Sequence, residues 1–150
     1  MREALERQFR VASPLADVWA RLLEVPRVAS WLPILNSVTE RVALTEYGAV
    51  LEDKVGGFAL SADLQIDVVR LEDMVEIAVH AYGEDRQVRS RILIDAAARL
   101  DADGVDGTLV SVSGSYEITG RVATLGAGVI RSKANKLVDR FCAEAEGGLA

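Results

Sequence analysis

From about Ser37 to Ile118 the chain runs as consecutive stretches of alternating apolar and polar residues, and the last stretch passes directly into one long amphipathic segment. The clearest stretch sets Phe58, Leu60, Ala62, Leu64, Ile66 and Val68 against Ala59, Ser61, Asp63, Gln65 and Asp67. A second sets Val75, Ile77, Val79 and Ala81 against Met74, Glu76, Ala78, His80 and Tyr82. A third puts Val88, Ser90, Ile92, Ile94 and Ala96 on one face, with Arg89, Arg91 and Asp95 on the other. Period-2 alternation marks half-buried strands. Turn signals at Tyr47-Gly48, Gly56-Gly57, Leu71-Glu-Asp73, Gly83-Glu-Asp85 and Asp101-Ala-Asp-Gly104 separate the stretches. Short turns between successive strands imply an antiparallel meander with one dry and one wet face. A final strand, Thr108–Ile118, meets Thr119-Gly120-Arg121 and then a helix reaching Phe141. The expected fold is therefore α+β: a curved antiparallel sheet wrapped around a long C-terminal helix, leaving a pocket between the two.

The remaining elements fit around that frame. Leu5, Phe9 and Val11 alternate with Glu6, Gln8 and Arg10, which predicts a first strand. Ser13-Pro14 reads as an N-cap followed by proline at the first helical position. A short helix follows, with Leu15, Val18, Trp19 and Leu22 on one side; a second starts near Pro26 and ends before Pro33, because the residue preceding proline avoids the helical region. On the terminal helix, Val122, Leu125, Val129, Ile130, Ala134, Leu137, Val138 and Phe141 share an apolar arc at 100° per residue. Lys133 falls inside that arc, where its stem packs and its ammonium reaches outward. Gly126-Ala127-Gly128 costs the helix about 1 kcal/mol per glycine relative to alanine, so a close approach or a bend is expected there.

Composition narrows the classes of function. Half of the 150 residues are hydrophobic, enough for one domain, 1–150, with a real core. No run of about 18 uninterrupted apolar residues predicts a membrane span. The charged N-terminal segment lacks the apolar centre of a signal peptide, and the lone cysteine, Cys142, fits a reducing cytoplasm. A net charge of −6 argues against nonspecific nucleic-acid binding. The charge is uneven: residues 1–120 carry −8, residues 121–140 carry +4 and the last ten carry −2. Arg131, Lys133, Lys136 and Arg140 therefore form a basic stretch on an acidic body. Its plainest role is a solvated helix face; its functional one is contact with anionic lipid at a membrane or with an acidic partner.

The order of elements, together with several short motifs, resembles the START-like (SRPBCC) helix-grip superfamily, and more closely the carbon monoxide dehydrogenase CoxG family. The motifs are Phe9-Arg-Val-Ala-Ser-Pro14, Val18-Trp19, Trp31-Leu32-Pro33, Lys54-Val55-Gly56, Thr119-Gly-Arg-Val-Ala-Thr-Leu-Gly126 and Lys133-Ala-Asn-Lys-Leu-Val-Asp-Arg-Phe141. The resemblance spans nearly the whole chain. It implies a hydrophobic pocket, a cytoplasmic location and an accessory role beside a molybdenum hydroxylase-type enzyme, either recruiting it to the inner face of the membrane or handling a quinone-like lipid. Two features depart from the family pattern. Ile34 follows Pro33 where glycine is usual, so a different loop is expected at the pocket mouth, and the sequence ends at Ala150 where many members carry a membrane-attaching tail.

Catalytic constellations are sparse. One histidine and one cysteine cannot supply a zinc site. His80 alternates with Ile77 and Val79 and so belongs to the wet face; Gly56-Gly57 lacks the Lys-Ser/Thr of a phosphate loop. No metal or cofactor is expected. The dry strand faces instead nominate pocket walls: Phe58, Leu60, Leu64 and Val79, then Val88, Ile92, Val112 and Tyr116. Ala62, Ser90 and Gly114 on those faces leave volume that a solid core would fill. The helix adds Leu125, Val129 and Leu137, and Trp31, Leu32 and Leu35 are expected near an entrance. Plain core packing is the competing role for each of these residues. Tyr116 differs because a buried hydroxyl needs a partner, which a ligand carbonyl would provide. The leading expectation is noncatalytic binding of a hydrophobic small molecule, lipid or quinone-like. The alternatives are a cyclase or hydrolase on the same fold, and a scaffolding subunit docking through its basic helix.

Overall fold

Each alternating stretch becomes a strand of one seven-stranded antiparallel sheet in the computed structural model, which describes residues 2–150. The strands are β1 (Arg2–Val11), β2 (Leu35–Val42), β3 (Glu46–Val55), β4 (Phe58–Glu72), β5 (Glu76–Asp85), β6 (Ser90–Ala102) and β7 (Thr108–Gly120). Their spatial order is β1-β7-β6-β5-β4-β3-β2. The two edge strands are thus neighbours in sequence, and the chain must cross the whole width of the sheet between them. It does so through α1 (Leu15–Leu22) and α2 (Val25–Ala29). Burial of Val18, Trp19, Leu22 and Val25 fixes these two short helices against the rest of the core.

Register decides which side chains share the inner face. Leu51 lies opposite Ala62, Ile66 opposite Ala81, Ile92 opposite Ile118, and Phe9 opposite Val110. Cross-strand partners point to the same side, so the inner rows are set by period-2 alternation as the sequence implies. A bulge between Val68 and Arg70 on β4 and register shifts between β2 and β3 bend the sheet, which stays curved and unclosed.

A 3-10 turn, Val122–Leu125, leads from β7 into α3 (Ala127–Gly148). The C-terminal end of α3 is firmly docked. Ala145 and Leu149 are fully buried, Arg21 donates to the Leu149 carbonyl at 3.2 Å, and the Trp31 and Phe141 rings lie 6.0 Å apart. Gly148 is packed so closely on the Trp31 ring that a Cβ there would collide with it.

Several boundaries differ from the sequence reading. Pro14, not Ser13, is the N-cap of α1 and no side chain caps it; the Ser13 carbonyl instead accepts the Thr108 hydroxyl at 2.9 Å. Val122 and Leu125 belong to the 3-10 turn, because the chain breaks at Gly126, whose φ is 94°. Gly83-Glu-Asp85 is strand: Glu84 and Asp85 keep their pairing with Arg91 and Ser90, and the turn comes after them. Val88 therefore lies in that turn and Val75 in the preceding one, outside the strands expected to hold them.

Candidate functional site

The inner face of the sheet is sealed towards β3 and β4 and loosely covered elsewhere. Leu51, Leu60, Ala62, Leu64 and Ile66 are buried. Val79 on β5, Ala96 and Ala98 on β6, and Val112, Gly114 and Tyr116 on β7 face the same side yet remain half-buried. On the helix, Ala134, Leu137, Val138 and Phe141 are also half-buried, and within α3 only Ile130 and Ala145 are fully enclosed. An interdigitated helix–sheet core would bury both sets. The middle of α3 therefore roofs a hollow whose walls are apolar.

Polar tethers hold that roof at both rims. On the β1 side, Arg131 pairs with Glu3 at 2.7 Å, and Arg7 donates to Asn135 at 2.7 Å and to Asp139 at 2.8 Å. On the β3 side, Lys133 reaches Asp53 at 3.1 Å. Glu3, Arg7 and Asp53 were not singled out from the sequence. A signal was present: each occupies the inward parity of its strand, among Leu5, Phe9 and Val11 or opposite Leu60, where a charge needs a partner. Lys133 does extend outward from the apolar arc as expected, but its ammonium ends on a carboxylate.

The other nominated residues fall into three groups. Leu60, Leu64 and Ile92 are fully buried in the floor, while Val79, Val112, Tyr116 and Leu137 are half-buried around the hollow. Phe58 and Leu125 meet at the end of the sheet where α3 begins: Leu125 packs on Gly56, and the Arg121 guanidinium lies 5.7 Å from the Phe58 ring centre. Trp31, Leu32 and Leu35 sit half-buried near the opposite end of α3, with Trp31 against Phe141 and Gly148. Val129 is a correction. It is 47% exposed, because the break at Gly126 rotates α3 away from an arc projected continuously from Val122.

Tyr116 has the most pronounced environment. Its hydroxyl oxygen is buried and, among the described residues, is the buried side-chain polar atom without a hydrogen-bond partner. Burial, reinforced by nearby Glu3, pushes its phenol above the ordinary range, so it remains a protonated donor. Burial also raises the Cys142 thiol, which suits a packing residue rather than a nucleophile.

The outer face carries two open troughs, of about 520 and 570 Å³. The first crosses Glu6, Ser113, Ala97, Ala78 and Arg70; the second is rimmed by Tyr82, Leu93, Glu84 and Arg91. Between them His80 bonds Asp95 at 2.7 Å through Nδ1, and Arg2 reaches the same carboxylate at 3.3 Å. These troughs are shallow, polar-edged and remote from α3, so they do not serve as an enclosed apolar site. Among the described residues no cluster of three metal-ligating side chains occurs, and no helix is long and apolar enough to cross a membrane.

A long C-terminal helix laid over a curved antiparallel sheet, with two short helices after the first strand, defines a START-like helix-grip protein. Solved structures agree on the fold. A conserved protein from Geobacillus kaustophilus superposes with a TM-score of 0.82 at 15% identity, covering 99% of this chain and 95% of that one. A START superfamily protein from Mycobacterium smegmatis gives 0.71 at 12% identity over 97% and 96%. The Zhui aromatase/cyclase from Streptomyces sp. R1128 gives 0.67 at 15% identity over 99% and 92%. Within this class, the chain belongs to the carbon monoxide dehydrogenase CoxG family, whose model matches residues 8–147. No curated protein matches the sequence.

Proposed function

We propose that this protein is a noncatalytic carrier of an apolar small molecule, lipid or quinone-like, held between α3 and the inner face of the sheet. The observation that carries the reading is the half-buried apolar lining beneath a helix tethered by polar pairs at its rims. Burying ~300 Å² of ligand at ~25 cal/mol per Å² yields roughly 7 kcal/mol gross. Association costs remove several of those kcal/mol, leaving the exchangeable affinity that carriage needs. Groups suited to acid–base chemistry stand apart: His80 lies on the outer face and Lys133 is engaged by Asp53. Native mass spectrometry and solvent extraction of the purified protein test the reading. A bound or readily acquired apolar molecule is expected. A protein that neither holds one nor takes up a neutral apolar dye defeats the proposal.

The family's name supports a partner, a molybdenum hydroxylase of the carbon monoxide dehydrogenase type, met at the inner face of the membrane. Of the four cations in the basic stretch, Arg131 and Lys133 are neutralised by Glu3 and Asp53, so docking falls to Lys136 and Arg140. Reversing those two to glutamate is expected to abolish pull-down of the enzyme or of anionic vesicles. Unchanged capture of both would remove the helix from the interface.

A further inference from the structure

Resting on the carrier reading, we infer that Tyr116 is the hydrogen-bonding anchor of the hollow. Its ligands are then uncharged apolar molecules bearing a carbonyl or hydroxyl oxygen at the end lying beneath the first turns of α3. The inference starts from an imbalance. A buried hydroxyl without a partner costs about 1–3 kcal/mol, and that loss persists only if something restores it. The Tyr116 hydroxyl is such a group, although its ring is half-buried on the open part of the inner face.

Its position is set by neighbours that cannot satisfy it. Tyr116 lies opposite Ile94 on β6 and opposite Glu3 on β1. The Glu3 carboxylate is taken by Arg131, at 2.7 Å. Gly114, on the same face two residues earlier, has no side chain to fill the space beside the ring. The result is an apolar hollow with a polar point at one end, near the tether that fixes the start of α3.

The same arrangement excludes charged heads. Glu3 and Arg131 neutralise each other, so neither is left to compensate a ligand carboxylate or ammonium. An unpaired charge buried beside Tyr116 would cost more than the missing hydrogen bond returns. The hydroxyl is a protonated donor, so a carbonyl oxygen is the simplest match.

Three bicyclic probes test this: 1-tetralone, tetralin (the same skeleton without oxygen) and tetralin-1-carboxylate, each competing with Nile red. In the wild type, tetralone is expected to compete at about fivefold lower concentration than tetralin, the equivalent of one hydrogen bond, with the carboxylate weakest. Tyr116→Phe is expected to bring tetralone to the level of tetralin and leave tetralin unchanged. It is also expected to melt no lower than the wild type, since no protein partner is lost. A tetralone preference that survives Tyr116→Phe, failure of tetralone to displace bound Nile red, or a marked loss of stability in the variant would overturn the anchor while sparing the carrier. The carboxylate binding tightest would overturn the uncharged class. Absence of binding by Nile red and all three probes in the wild type would bring down the carrier reading and the anchor together.

Discussion

At the scale of single residues, the decisive side chains are polar groups on the inner parity of strands. Asp85 is an example with a structural task. It is 4% exposed, and its carboxylate accepts backbone N–H groups from Ser61 at 2.6 Å, Gln87 at 2.9 Å and Val88 at 3.2 Å. Burial alone would raise its pKa, but the three donors outweigh burial and hold it below the ordinary carboxylate range. The unfolded value is near about 4. The stabilisation is therefore present above that pH and lost as pH falls through the lower folded value. Asp85→Ala is expected to cost at least about 2 kcal/mol at pH 7, measured by urea unfolding, with the gap to wild type closing as the pH drops below the folded value. This role was not legible in the sequence, where Gly83-Glu-Asp85 reads as a turn. The acid does organise the turn, but from the last paired position of β5. Tyr116 was legible because a tyrosine on a dry face raises the question of its hydroxyl; that Glu3 and Arg131 would engage each other was not, since the pairing spans 128 positions.

At the scale of elements, α3 is held by two kinds of force, and they give separable predictions. Its C-terminal end is packed: Gly148 on Trp31, with Leu149 buried beneath. Gly148→Val forces a side chain into that contact and is expected to cost about 1–3 kcal/mol, seen as a lower melting temperature. The middle of α3 is tethered by ion pairs that are partly exposed, and such pairs contribute about 0–1 kcal/mol each. Lys133→Met is accordingly expected to change stability by less than about 1 kcal/mol. Because it frees one rim of the hollow, it should nonetheless speed release of Nile red several-fold in stopped-flow fluorescence. Equal release rates in the two proteins would show that Lys133 and Asp53 do not control access. The strands and helices themselves were readable because period-2 alternation and the 3.6-residue arc are local properties. Element ends were not, since they follow pairing and backbone breaks: Gly126 splits what looks like one helix, and that break moves Val129 to the outside.

At the scale of the whole molecule, a sheet this curved must enclose either side chains or a guest. The sheet spans β1 to β2 with its edges unjoined, and α1 and α2 close one end while α3 covers the open side. Small residues at the centre, Ala96, Ala98 and Gly114, leave the enclosed space unfilled from within. Unfilled apolar volume weakens a fold through lost contacts. A molecule that occupies it binds the native state and not the unfolded chain, so it stabilises by mass action. At a free concentration 100 times its dissociation constant the gain is about 2.7 kcal/mol. For a chain of this size each kcal/mol moves the midpoint by about 2–4 °C. Protein stripped of apolar molecules by organic extraction or unfolding–refolding should thus melt about 5–10 °C lower than ligand-saturated protein. Adding back the extract should restore the difference, whereas tetralin should recover only part of it, since a pure hydrocarbon leaves the Tyr116 hydroxyl without its acceptor. Identical melting before and after stripping, with an extract that does nothing on return, would mean that the enclosed space is empty by design and that α3 serves as a docking surface.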